Sequence, residues 1–410
     1  MVGRATDIAP DIAIVGGGLA GGLLALALAA RRPDRRVLLI EAGDRLGGNH
    51  VWSFFLSDIP VALRWLVKPL VAARWDGYDV RFPAHSRRLN SAYRSITSER
   101  FDAHLRASLP ERSILTGVAV AGLDRHGVTL ADGTRIKAGA VVDARGAQSF
   151  PGLLGGWQKF VGQMLQLEAP HGLERPIVMD ASVAQEEGYR FVYALPFAAD
   201  TVFVEDTYYT TSPHMERDVL GFRIGAYAKA QGWRVSQVLG EEQGCLPVVA
   251  GGTPMLDDGA DGVARIGSGA ALFHPLTGYS LPTAVRLAGM LADLPDLSGP
   301  AMAKAATNYA RGHWRAGAYY RLLTRMLFGA AEPEHSYRIF ERFYRLKEGL
   351  IERFYAGHST GLDRMRILAG KPPVPLGAAI ACLLGGGHPL ARLDELKQQQ
   401  TAQVGEVEKR

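Results

Sequence analysis

Three features of this sequence predict an α/β fold. The chain begins with an apolar strand, a glycine-rich turn, an apolar helix and a second strand closed by an acid. Its middle is dense in strand-like alternation, and its last quarter turns helical, aromatic and basic.

The first unit is the most legible. Ile12–Val15 reads as a buried strand, Leu19 to Ala30 as a buried helix and Arg36 to Ile40 as a second strand. Arg31-Arg-Pro-Asp ends the helix. Gly16-x-Gly18-x-x-Gly21 occupies the turn, and Glu41 follows 20 residues after Gly21. Gly16 permits the tight turn, Gly18 lets a pyrophosphate approach the backbone, and Gly21 lets helix and strand pack closely. Gly17, Leu19 and Ala20 complete the turn and aim the helix N-terminus at phosphate charge. Glu41 can accept hydrogen bonds from a ribose. A glycine turn without a ligand is the plain alternative, but the full strand–turn–helix–strand–acid order argues for a dinucleotide. The 19 uncharged residues from Ile12 to Ala30 could also be read as a membrane span or signal peptide. Five glycines inside them would weaken such a helix, and the second strand with its closing acid completes a folding unit.

Later segments favour FAD over NAD. The pair Gly47-Gly48 soon after the acid, Ala140-Val-Val-Asp-Ala-Arg-Gly146, and Ala264-Arg-Ile-Gly267-Ser-Gly269 followed by His274-Pro275-Leu-Thr-Gly278 resemble three flavoprotein segments in the right order. Ser268 stands where an Asp is common, which puts that polar contact in doubt. The expected architecture is a Rossmann-like FAD-binding flavoprotein fold with an inserted strand-rich substrate domain and a helical C-terminal region. We expect the FAD-binding domain at 1–150, with strands near Thr116–Val120, Gly127–Leu130 and Gly139–Asp143. The substrate domain follows at 151–262 and the FAD-binding return at 263–310. The helical basic region covers 311–392, and a frayed polar tail 393–410.

A closer resemblance rests on longer motifs. Gly47-Gly-Asn-His-Val-Trp-Ser-Phe54, Leu89 through Phe101, Gly188-Tyr-Arg-Phe-Val-Tyr-Ala-Leu-Pro196, Phe203-Val-Glu-Asp-Thr-Tyr208, Leu272 through Pro282 and Phe354-Tyr-Ala-Gly357 resemble the bacterial lycopene β-cyclase family. The resemblance runs from about Asp11 to Pro375. It implies closure of both ends of lycopene into β-ionone rings, through γ-carotene to β-carotene. It also implies reduced FAD, kept reduced by NAD(P)H, in a reaction with no net redox change.

Such chemistry needs a proton delivered to an alkene, a cation held while a ring closes, and a proton removed. Because an alkene is a very weak base, the donor must be a neutral acid in a dry pocket, where desolvation penalises the anion. Thr201-Val-Phe-Val-Glu205-Asp206 supplies an apolar strand with two acids at its end. Neighbours on a strand face opposite ways, so Glu205 and Asp206 cannot both face one substrate if the strand continues through them. An acid pair at a strand end is more often the start of a solvated loop; the resemblance assigns the catalytic acid to Glu205. A reduced, anionic flavin would stabilise the cation electrostatically in a low-dielectric site. Asn49 and His50 are candidates to position flavin or substrate. His274 either approaches the cofactor or makes a local hydrogen bond. The eleven histidines show no clustered ligand spacing, so no metal is expected. No Gly-x-Ser-x-Gly elbow supports a serine hydrolase.

Composition bounds the rest. The chain has 410 residues, 47% of them hydrophobic, with a net charge of +5; this excludes a disordered chain and a polytopic membrane protein. Two distant cysteines make no disulfide framework and fit a reducing compartment. Residues 311–392 hold thirteen Lys/Arg against six Asp/Glu, so +7 is concentrated there among many aromatics. RNA binding has no motif to support it. A helical cap with a solvated basic face and a surface lying on anionic lipid both remain open. A lipid-resident substrate favours the second, with the protein cytoplasmic and peripheral to the membrane, beside other carotenoid enzymes. A flavin monooxygenase or prenyl reductase, which would consume NAD(P)H stoichiometrically, and a flavin-free prenyl-binding escort are the competing functions.

Overall fold

The computed structural model of the chain describes residues 9–147, 149–256, 258–369, 376–383 and 386–394. A five-stranded parallel sheet runs in the order Val263–Arg265, Ala140–Asp143, Ile12–Val15, Val37–Ile40, Ile114–Leu115. Parallel strands are apolar on both faces because both are covered, and alternation divides this sheet accordingly. Ile12, Ile14, Leu39 and Val142 pack on the helices Leu19–Arg31 and Leu281–Ala292. Ala13, Val15, Leu38 and Val141 pack on a small antiparallel sheet formed by Val120–Asp124, Gly127–Leu130 and Arg135–Lys137.

The second layer is a large, mostly antiparallel sheet in the order Val235–Gly252, Leu153–Leu167, Thr201–Thr210, Tyr189–Ala198, Ile177–Asp180, Tyr78–Phe82, His85–Leu89. Ala391–Arg392 pairs at its Leu154–Gly155 edge. One face is covered by the helix Arg217–Ala230 through Leu220, Ile224 and Tyr227. The other is covered in part by the C-terminal helices, where Phe340 stacks on Tyr189 with centroids 4.1 Å apart. A third small sheet, Val51–Phe55 with Tyr93–Thr97 and Ala73–Trp75, joins the layers.

Three expectations are revised. The strand expected at Thr116–Val120 is split between Ile114–Leu115 and Val120–Asp124. Between them the chain turns at Gly117, whose φ is +70°, and ties back to Gly43 and Glu41 by backbone hydrogen bonds. Glu205 and Asp206 do not end their strand; pairing on both sides carries it to Thr210. Six aromatics of the basic region, among them Tyr320, Tyr344 and Phe354, are buried in the core. Finally, the frayed tail expected over 393–410 does not begin at 393, since Leu393 is buried and bonded to Leu153 and Phe150; residues 395–410 lie outside the described residues.

Candidate active site

A cleft of about 540 Å³ opens at the carboxyl ends of the parallel strands, where open α/β sheets place their ligands. Gly16, Gly18, Leu19, Ala20, Glu41, Gly47, Gly48, Gly146 and Gly267 line it. Gly16 adopts φ +106°, and a Cβ there would sit 2.5 Å from the Ala144 carbonyl oxygen. A Cβ on Gly21 would sit 2.0 Å from the Gly16 carbonyl oxygen, so helix and turn require both glycines. Gly17 packs behind the turn against Leu46 and Glu41. A Cβ on Gly18, by contrast, would meet nothing within 4 Å; the space in front of it is the cleft itself. The helix N-terminus beyond it has no side-chain cap, which suits an anionic ligand. The Glu41 carboxylate accepts the amides of Gly17 and Gly43, at 2.6 and 2.8 Å. The cleft therefore fits a dinucleotide in shape and donor chemistry.

A second cavity, of about 330 Å³, adjoins the first: His50, Trp52, Ser268 and Ser280 line both. Its floor comes from alternate residues of the large sheet. Register sets which ones. Gly162 pairs with Glu205 on one side and with Glu242 on the other, and directly paired residues share a face. The two carboxylates thus face each other across a residue with no side chain, beside Phe160, Tyr193, Leu195 and Phe203. Among the described residues lining this cavity there is no lysine or arginine.

Glu205 Oε1 accepts the Thr207 hydroxyl at 2.5 Å. Burial, and then the negative charge of Glu242, push the Glu205 pKa well above the usual carboxylate range, with Thr207 pulling modestly the other way. Asp206 faces the opposite side. It is fully buried and holds Arg190 through two short bonds, 2.9 Å from Nε and 2.6 Å from Nη2. The strand thus separates an acid in the cavity from an acid in a buried ion pair.

Sequence reasoning missed Glu242. Its Oε2 accepts the Val51 amide at 2.9 Å and lies 3.4 Å from His50 Nδ1. Asn49 Nδ2 also donates to the Glu241 carbonyl at 3.1 Å. The loop after Gly47-Gly48 is thereby fastened to the carboxylate strand. The sequence signal was Glu241-Glu242 in a strand-like run, but only register shows which acid faces inward. Of the remaining candidates, Gly278 lines the acid cavity, with φ +66°. Pro275 lines neither this cavity nor the cleft; with His274 it borders a separate pocket near Tyr320 and His313. His274 Nδ1 accepts the Leu276 amide at 3.3 Å, the local hydrogen bond that is one of the two roles expected of it. Among the described residues no cluster of His, Cys, Asp or Glu could hold a metal ion.

The fold is that of FAD-binding flavoproteins, and the cleft lies where such folds hold their dinucleotide. The halogenase PltM, solved in complex with FAD, superposes with a TM-score of 0.58 at 14% identity, over 85% of this chain and 82% of that one. Similarity in sequence is narrower and stronger. The lycopene beta-cyclase of Pseudescherichia vulneris is 48% identical over 90% of this chain and 96% of its own. That of Pantoea ananas is 43% identical over 91% and 98%. The family model for lycopene cyclase protein matches residues 11–381, and the chain belongs to the lycopene cyclase family.

Proposed function

We propose that this protein is a lycopene β-cyclase, converting lycopene through γ-carotene to β-carotene without net redox change. The observation that carries the reading is Glu205, a carboxyl kept neutral by burial at the floor of an aromatic cavity that adjoins the dinucleotide cleft. A neutral acid without competing water can protonate an alkene. Aromatic walls hold the acyclic end of the polyene folded over that acid, and their π-faces tolerate a cation. The Gly16–Gly21 turn, Glu41, Gly47, Gly48, Gly146 and Gly267 would hold reduced FAD, which would supply negative charge to stabilise a cation, with NAD(P)H as the external reductant. Asp206 keeps the strand in place through Arg190.

We further propose that the protein works in the cytoplasm against a membrane face. Among the described residues no helix is long and apolar enough to cross a membrane. Leu362, Met365 and Leu368 are exposed on the helix Gly361–Leu368, beside exposed Arg364 and Arg366. Leu368 also lines an apolar pocket with Phe340, Phe343 and Tyr355, and Tyr355 lines the Glu205 cavity. Through Tyr355, common to both, runs the route we propose for a hydrocarbon between surface and acid.

The test is expression in cells that accumulate lycopene, with pigment analysis. The wild type should yield β-carotene. Glu205→Gln should leave lycopene unconverted while retaining fold and flavin, because only transition-state stabilisation is lost. Full conversion by Glu205→Gln would overturn the assignment.

A further inference from the structure

Resting on the cyclase reading, we propose that Glu242 is the base that completes ring closure and then returns the proton to Glu205. Donor and acceptor roles decide which oxygen can carry hydrogen. An amide only donates, so Glu242 Oε2, which receives the Val51 N–H at 2.9 Å, is an acceptor. Glu205 Oε1 is likewise an acceptor, of the Thr207 hydroxyl. That leaves Glu205 Oε2 as the oxygen free to hold a proton, and the negative charge of Glu242 favours that protonated form. Register places them on one cavity face with Gly162 between. A Cβ on Gly162 would lie 3.3 Å from Glu242 Cγ and 2.3 Å from Phe203, so only glycine keeps the gap open.

Burial and the Glu242 charge both favour the protonated form of Glu205, which makes it the acid, and Glu242, held by the Val51 amide on the same face, is the carboxyl placed to accept a proton. The phenols Tyr93, Tyr193 and Tyr209 also face Glu205, and Asp206 adds its negative charge from the opposite face of the same strand. His50 faces Glu242 from the loop. In the cycle, the Glu205 O–H bond breaks and its proton forms a C–H bond at the terminal alkene. Alkene electrons close the C–C bond of the ring, leaving a tertiary cation. The Glu242 carboxylate then takes the proton from the adjacent ring carbon, whose C–H pair becomes the ring double bond. Passage of that proton from Glu242 to Glu205 restores the pair. Atoms, electrons and charge balance, as an isomerisation requires.

The experiment compares wild type, Glu242→Gln and Glu242→Asp as purified holoenzymes with chemically reduced FAD and lycopene in vesicles, over a range of pH and in D₂O. Wild type that forms no rings would end the cyclase reading itself, separately from this proposal. With active wild type, Glu242→Gln should lose about 10²–10⁴-fold in kcat, the usual worth of a positioned base, while keeping its flavin. Because Glu205 still protonates the alkene and the step reverses, recovered lycopene should carry deuterium at its ends. The acid limb of the pH–rate profile should vanish. The alkaline limb should move to lower pH, since Glu205 has lost its like-charged neighbour. Glu242→Asp should restore part of kcat and both limbs. A Glu242→Gln enzyme within a few-fold of wild type overturns the proposal. So does a slow one with unmoved limbs and no deuterium, which would show a merely structural role. If Glu242→Gln does not fold, Glu242→Asp decides: a lowered kcat with deuterium at the ends of recovered lycopene supports the base, and an unchanged kcat or a lowered one without deuterium overturns it.

Discussion

Single residues in this chain can be sorted by what surrounds the atom one would add or remove. Gly18 has an ordinary φ of −69° and empty space where a Cβ would go. Gly18→Val should therefore fold with near-normal melting yet purify without FAD, because its side chain fills the pyrophosphate position. Flavin absorbance per protein checks this, and full occupancy would remove the turn from the site. Asp206 behaves oppositely. Asp206→Asn strands the Arg190 guanidinium, 6% exposed, without its counter-charge. Breaking one half of a buried pair costs about 3 kcal/mol, so urea denaturation should show a marked loss of stability. Residual activity in the folded fraction should stay near wild type. This contrast was legible in sequence, since alternation alone sends adjacent residues to opposite faces. Glu242 was not legible, because its place depends on a neighbouring strand's register, which no local pattern fixes.

At the scale of elements, local units were read well and long-range pairings were not. The strand–turn–helix–strand beginning needs only contacts between near neighbours in sequence, and its bounds fall within a residue of those expected. The two strands at Tyr78–Leu89 join a sheet whose other strands lie from Leu153 onward, a connection that apolar alternation does not announce. The C-terminal helices show a similar limit. Their composition is basic and aromatic, but the aromatics turn inward, and the exposed apolar stripe is Leu362, Met365 and Leu368. If that stripe enters lipid, Leu362→Glu with Met365→Glu should weaken binding to anionic vesicles by at least about tenfold, given 1.5–3 kcal/mol for each large apolar side chain buried. Vesicle sedimentation reads this directly. Unchanged partitioning would place the membrane contact elsewhere.

Across the whole molecule, two buried groups set opposing pH dependences of folding. Asp58 is 1% exposed, and neither of its carboxyl oxygens has a hydrogen-bond partner. Burial pushes its pKa from 3.8 up to about 7; the Tyr279 hydroxyl, near but not within hydrogen-bond geometry, and the Arg286 charge pull against it. Its folded-state value is raised, so the stabilisation it gives is complete below pH 3.8 and drains away as pH climbs to about 7. His274, whose Nε2 is also unpartnered, is held by burial at about 3 instead of 6.5, helped by nearby His313. It is buried neutral, so its contribution is complete above pH 6.5 and is lost as pH falls toward 3. Between pH 3.8 and 6.5 the native state holds one extra proton at Asp58 and lacks one at His274, so the two slopes cancel. Removing either group should take away its own slope alone, leaving that of the raised Glu205 in place. Relative to wild type, Asp58→Asn should gain roughly 1.4 kcal/mol per pH unit from about pH 4 to 7, then level off at about 4 kcal/mol. His274→Gln should show the opposite relative trend, gaining as pH falls below 6.5. Denaturant titrations across pH, at equal flavin content, measure both differences. A pH-independent gap between wild type and Asp58→Asn would mean that Asp58 is ionised in the fold, and that a partner for its charge compensates the burial.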